Sequence, residues 1–204
     1  NRKVLDACND KKIDYNEVIY EIEKILINEP YESEKFHLWN SSFLIDYILN
    51  NHHHYVKNAI PVILQHTAKV ATVHGESHPE VIEVSRLFNV VSEGMKMHMK
   101  KEEEILFPYI KQLESGEKTD AFCFPSVTSP IHVMEAEHQE AGDDMENIKE
   151  LTNNFTPPED ACNTYKVSYQ ELKEFYNDLH KHVHLENNIL FPNAISLEKK
   201  YQSS

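Results

Sequence analysis

The apolar residues of this chain recur at helical spacing over long stretches, separated by breaks rich in proline and asparagine. Ile45, Leu49, Val56, Ile60 and Ile63 lie within about a quarter turn of one another at 100° per residue, which predicts a helix from Ser41 to His66. Val84, Leu87, Val91, His98, Ile105 and Tyr109 form the stripe of a second helix, opening at His78-Pro79 where proline suits the first turn. Ile131, Met134, Ala141 and Met145 predict a third after Ser129-Pro130, ending near Thr152. A fourth, from Glu159 to Lys199, turns Ser168, Phe175 and Ile189 inward. The breaks are residues 114–129, with Gly116 and Pro125, and the run Asn153-Asn154-Phe155-Thr156-Pro157-Pro158. Ahead of these, residues 1–30 read as a short helical piece. Asp14 and Glu17 make a capping-box variant before Val18-Ile19-Tyr20, and Pro30 ends the piece. Residues 31–40, with Trp39, read as a linker.

Two of the stripes carry the same polar interruption. His98 to Pro108 and His182 to Pro192 share the template H-x-x-x-E-x-x-I-L-F-P, 84 positions apart (98 to 182). Residues four apart share a helix face, so each copy points one imidazole and one carboxylate, His98 with Glu102 and His182 with Glu186, the same way. Ile105 and Ile189, seven residues past each histidine, put that face toward an apolar interior. A single His-x-x-x-Glu is most often a pair of solvated neighbours, but two copies fixed in phase by one apolar tail are not explained that way. The third helix centres His138 on its stripe, where alone it would read as a satisfied core residue. In the first helix His53 lies about 40° from Leu49, His52 about 60° to the other side and His54 about 140° away. Phase rejects His54 and prefers His53, with His52 still open. Glu103, Glu104, His132, His180 and His184 turn outward as surface residues. Pro108 and Pro192 each remove a backbone bond, so both of these helices are expected to kink just beyond the pairs.

Composition narrows the classes. Four glycines in 204 residues, 40% of them hydrophobic, suit an all-α chain with one full core. A net charge of −14 argues against nucleic acid or an anionic membrane as the main partner. Thirteen histidines exceed what helix packing needs and keep metal binding open. Cys8, Cys123 and Cys162 form neither a C-x-x-C nor an even set, and read as free thiols of a reducing compartment. No apolar run approaches a membrane span.

A buried histidine–carboxylate pair is costly unless something positive holds it, and two facing pairs suggest a metal site in a bundle core. Four imidazoles and two carboxylates are more than one ion uses. Two ions sharing both carboxylates, with two histidines each, use them all. Without cysteine the set suits iron or manganese better than structural zinc. The ferritin-like pattern is Glu-x-x-His; here histidine comes first and the gap is one longer.

The order H…HxxxE…H…HxxxE resembles the hemerythrin-like domain, an up-down-up-down four-helix bundle with an oxo-bridged non-haem di-iron centre. More closely, HMKKEEEILFP, EAEHQEAG around His138, TNNFTPPEDAC at 152–162 and HLENNILFP at 184–192 are similar to the iron–sulfur cluster repair, or repair of iron centres, family. The similarity runs from about Phe43 to Ala194. It implies two iron ions, with His53, His98, His138 and His182 as terminal ligands and Glu102 and Glu186 as bridges. It also implies a cytoplasmic protein that restores iron–sulfur proteins damaged by nitrosative or oxidative stress. The means would be iron donation, or binding or reduction of nitric oxide. The alternative is a hemerythrin-type sensor or carrier of oxygen or nitric oxide, disfavoured by Glu186 where oxygen carriers usually have aspartate. Family members generally begin with a small domain bearing a Cys-Cys pair, absent here, so residues 1–36 are expected to be the remnant of such a domain and 37–204 the bundle. A homodimer is compatible with this resemblance.

Overall fold

The computed structural model describes residues 36–116 and 126–202. The expectations for residues 1–30, for Cys8 and Cys123 and for most of the long loop lie outside the described residues. The chain divides after Trp39. Of the first unit only a 3-10 turn, Phe36–Leu38, and Trp39 are described, closed by the Trp39 N–H on the Phe36 carbonyl at 3.2 Å.

The second unit is an all-α, up-down-up-down four-helix bundle with no strand among the described residues. Helix α1 spans 41–74, α2 spans 80–115, α3 is Thr128–Leu151 and α4 spans 163–202. Each packs on its neighbours in the chain, and α4 returns against α1 to close the ring. Stripe residues Val56, Ile60, Val84, Val91, Met145 and Phe175 are all buried, with Phe88 set edge-on to Phe175 at 5.2 Å.

The largest departures from the reading above are at two helix ends. Helix α1 runs on to His74 because Thr67 and Val70 continue the buried stripe, the Thr67 hydroxyl donating to the Ile63 carbonyl at 2.8 Å. It stops at Gly75, where a Cβ would sit 2.4 Å from the Ala71 carbonyl oxygen and 2.9 Å from Ile82. Helix α4 starts at Asn163 rather than Glu159, with Cys162 as its extended N-cap residue. The preceding turn uses Asn153, Asn154 and Phe155 at φ 47°, 57° and 57°, a left-handed stretch disfavoured for a phenylalanine. Burial of Phe155, and donation of its N–H to Thr152 Oγ1 at 3.1 Å, hold it there.

Three of the helices contain one five-residue π segment each: Leu49–His53, Glu102–Leu106 and Glu186–Leu190. The last two close when the N–H of Phe107 and Phe191 reaches five residues back, to the carbonyls of Glu102 and Glu186. A proline follows immediately in each, Pro108 and Pro192, so the expected interruption takes the form of a widened turn ahead of the proline. The extra residue advances the helical phase. Ile105, expected inside, is therefore exposed, and Leu106 takes the inward position. Tyr109 is half-buried while Ile110 is fully buried. In α4 both Ile189 and Leu190 are buried, and the opening turns of α1 pack on that segment.

Two carboxylates tie the ends. Buried Glu198 accepts from the Tyr109 hydroxyl at 2.8 Å, the Ser126 hydroxyl at 2.6 Å and the Val127 N–H at 2.7 Å, joining α2, α3 and α4. Glu198→Ala strands the buried Val127 donor and should cost about 2–3 kcal/mol of unfolding free energy in urea titrations. Glu114 accepts from the N–H groups of Ser41 at 2.7 Å and Ser42 at 2.9 Å, capping α1 together with Asn40. Burial pushes the Glu114 carboxyl up, but the Ser42 and Ser41 donors outweigh it and hold it below the ordinary 4.5. A carboxyl depressed in the folded state contributes stability above 4.5 and loses it as pH falls through the lower, folded value. The stability gap between wild type and Glu114→Gln, about 1 kcal/mol at neutral pH, should therefore close in acid.

Candidate metal centre

Each helix delivers its site residues from the widened stretch or from the turns facing it. Helix α1 brings His53 at the end of its π segment, α2 brings His98 and Glu102, α3 brings His138, and α4 brings His182 and Glu186. All six are at most 3% exposed. They fall into two groups, His53, Glu102, His182, Glu186 and His98, Glu102, His138, Glu186, in each of which one ligand atom per residue lies within 4.8 Å of every other. The two glutamates belong to both groups.

Their oxygens show how they are shared. Glu102 Oε2 stands 3.4 Å from His53 Nε2 and 3.3 Å from His98 Nε2. Glu186 offers Oε1 to His182 Nε2 at 3.0 Å and Oε2 to His138 Nε2 at 3.1 Å. The Nε2 atoms of His98 and His138 face each other at 2.9 Å. His53 Nε2, both Glu102 oxygens and Glu186 Oε2 are buried with no hydrogen-bond partner. Such groups are expensive in an apolar interior, and a cation is what would satisfy them together. The donor set, imidazole and carboxylate without sulfur, fits a first-row dication such as iron or manganese. Each group can hold one cation.

The electrostatics agree. Burial pulls the His98 imidazole down, yet Glu102, Glu186 and Glu137 push it up to about 9. His53 is raised likewise, against burial, by Glu102, Glu186 and Glu103. Burial pushes the Glu186 carboxyl up, but His182 and His138 hold it well below the usual range. Glu102 is also lowered: burial and Glu186 raise it, His98 and His53 outweigh them. The pocket favours paired opposite charges, so protons and a metal compete for the same atoms.

Behind the imidazoles stands a shell only partly visible in the sequence. His53 Nδ1 meets Glu103 Oε1 at 2.7 Å, and Lys57 Nζ holds the same carboxylate at 2.7 and 2.8 Å. His98 Nδ1 meets Glu137 Oε2 at 3.1 Å, with Lys101 on the other oxygen of that carboxylate. His138 Nδ1 meets Asn187 Oδ1 at 2.9 Å. Glu103, expected as surface charge, is turned toward α1 by the π segment it sits in, which a regular helical wheel does not anticipate. Glu137 and Asn187 carry no spacing signal of their own. His52 is buried as well, its Nδ1 2.8 Å from Asp178 Oδ1 and its ring stacked on His182 at 5.6 Å, but it belongs to neither group. His54, His132, His180 and His184 are exposed.

Residues 44–194 match the hemerythrin HHE cation-binding domain. The chain is also similar to curated bacterial proteins named iron–sulfur cluster repair protein YtfE. That of Yersinia pseudotuberculosis serotype IB (strain PB1/+) is 36% identical over 192 residues, 94% of this chain and 82% of the relative. That of Yersinia pestis (strain Pestoides F) shows the same identity and coverage. By the domain match and by these relatives, the chain belongs to the hemerythrin HHE cation-binding family, alongside the iron–sulfur cluster repair proteins.

Proposed function

We propose that this chain is a di-iron protein that helps restore iron–sulfur clusters damaged by nitrosative or oxidative stress. The observation that carries the reading is the pair of buried His–Glu groups that share Glu102 and Glu186, in a chain whose relatives bear repair names. His53 and His182 would hold one iron, His98 and His138 the other, and Glu102 and Glu186 would span both. Bound ferrous ions supply Lewis acidity, one-electron chemistry and an exchangeable position suited to a small diatomic such as nitric oxide. The chain's own part is to fix six donors, exclude bulk water and hold the outer nitrogens. Glu103 and Glu137, each neutralised by a lysine, orient His53 and His98 through Nδ1 and leave Nε2 for metal. Glu103→Ala should weaken iron binding about tenfold or more while leaving the fold intact, as read by chelator competition and circular dichroism.

Damaged iron–sulfur proteins are the partners of this reading, in the cytoplasm. No helix among the described residues is long and apolar enough to cross a membrane. Residues 37–204 are proposed as the working bundle. The carrier alternative has no support in the relatives' names. The test is repair itself: iron-loaded chain is mixed with a nitric-oxide-damaged iron–sulfur enzyme, and recovery of that enzyme's activity is followed with metal content. Recovery should require loaded protein. Equal recovery with Glu102→Ala protein, or with metal-free protein, would sink the reading.

A further inference from the structure

At the far end of the bundle, about 30 Å along α1 from His53, two contacting pairs of side chains with metal-binding atoms lie near one another, without three of those atoms converging as they do at the centre. His74 closes α1, His78 lies in the turn to α2, and Asp160 and Cys162 lie in the segment leading into α4. His74 Nε2 stands 3.2 Å from Cys162 Sγ. His78 Nε2 stands 3.1 Å from both oxygens of Asp160. Both imidazoles lean on one fully buried ring, Tyr165, at 5.1 and 5.8 Å, which sets them side by side with ring centres 6.4 Å apart. Each thus aims its Nε2 at one short stretch of chain, with Ala161 the single residue between the two partners.

We propose that His74, His78, Asp160 and Cys162 form a second cation site, separate from the bundle centre, for a late first-row dication such as zinc. One thiolate, two imidazoles and one carboxylate make a four-coordinate donor set of the borderline-soft kind zinc takes, whereas the all-nitrogen-and-oxygen centre suits iron or manganese. The outer nitrogen of His78 is already oriented: its Nδ1 faces Glu80 Oε1 at 3.3 Å, the carboxylate–histidine–metal arrangement that leaves Nε2 for the ion. Thiolate and Asp160 together balance the charge of a dication. The donors stand as two contacting pairs, and one ion draws them into a single shell. Asp160, 66% exposed, and the exposed Cys162 are at liberty to make that adjustment. Occupation would pin the α1–α2 turn to the start of α4.

Cobalt(II) tests this in the full chain, because only a site containing sulfur gives the intense near-ultraviolet sulfur-to-cobalt charge-transfer band. The bundle centre holds no sulfur ligand, so loading there does not produce the band, and the result does not depend on the repair reading. The band should appear at one cobalt per chain beyond the bundle's complement. Zinc should bleach it, being bound more tightly than cobalt at such sites. Cys162→Ser should abolish it, while Cys8→Ser and Cys123→Ser leave it. His78→Ala should weaken cobalt binding at least tenfold, and Glu80→Gln about tenfold. Absence of the band, its survival in Cys162→Ser protein, or unchanged cobalt affinity in His78→Ala protein would overturn the proposal. The four positions are at least partly exposed, so circular dichroism should show each variant folded.

Discussion

Alanine at Glu102 or Glu186 is expected to take iron content from about two per chain to near none, whereas alanine at His53 leaves the other half of the centre loaded. The difference follows from sharing. Glu102 Oε2 faces His53 and His98 at nearly equal distances, and Glu186 gives one oxygen to His182 and the other to His138. In the proposed two-iron centre, removing either carboxylate would take a ligand from both ions and one negative charge from the site, leaving their repulsion less screened. Removing His53 would take one neutral ligand from one ion and leave His98, His138 and both carboxylates in place. Metal analysis of reconstituted proteins, alongside ferric spectra, reads the outcome. Equal retention in His53→Ala and Glu186→Ala proteins would mean that the glutamates do not span the pair.

Much of this arrangement is legible from periodicity because the bundle is regular where its stripes are apolar. The phases of Val84, Leu87 and Val91, and of His138 between Met134 and Met145, hold in the structure because uninterrupted α-helix keeps 100° per residue. Legibility stops where the helix widens. Ile105 comes out exposed and Glu103 reaches His53 because the π segment from Glu102 to Leu106 inserts a residue into the turn. Pro108 signals some disturbance, but a proline alone does not say whether a helix bends or widens. The same holds for His52 and His53. Adjacent residues on a helix bracket one direction, and both prove buried, His53 among the donors and His52 against Asp178. Partners such as Glu137 and Asn187 depend on how α2, α3 and α4 are set against one another, which no single helix encodes. The cluster at His74 and Cys162 joins positions 88 apart and has no periodic signature at all.

Removing the metal should lower stability by about 4 kcal/mol when free iron in the loaded sample exceeds its dissociation constant a thousandfold. For a chain of this size that corresponds to roughly 10 °C in melting temperature. The effect arises because binding energy at a buried centre appears as folding energy: the unfolded chain does not assemble four imidazoles and two carboxylates around two ions. The loss is bounded, since the metal-free interior is partly self-compensating. His98 and His53 are pushed toward imidazolium while Glu102 and Glu186 are held as carboxylates, so these four groups offset one another's charge. The metal-free chain should accordingly remain folded but loosen locally, and the structure indicates where. His182 Nδ1 is buried with no partner, whereas the outer nitrogens of His53, His98 and His138 are each held by a side chain. His182 also lies one turn before the π segment at Glu186 and the Pro192 that follows it. Amide exchange should therefore rise most in α4 between His182 and Leu190, and less in α3 around His138, whose helix is uninterrupted. Both samples must be held at one pH, because protons and metal compete for the same nitrogens. Equal melting temperatures with superimposable exchange patterns would mean that these six side chains do not enclose a metal centre.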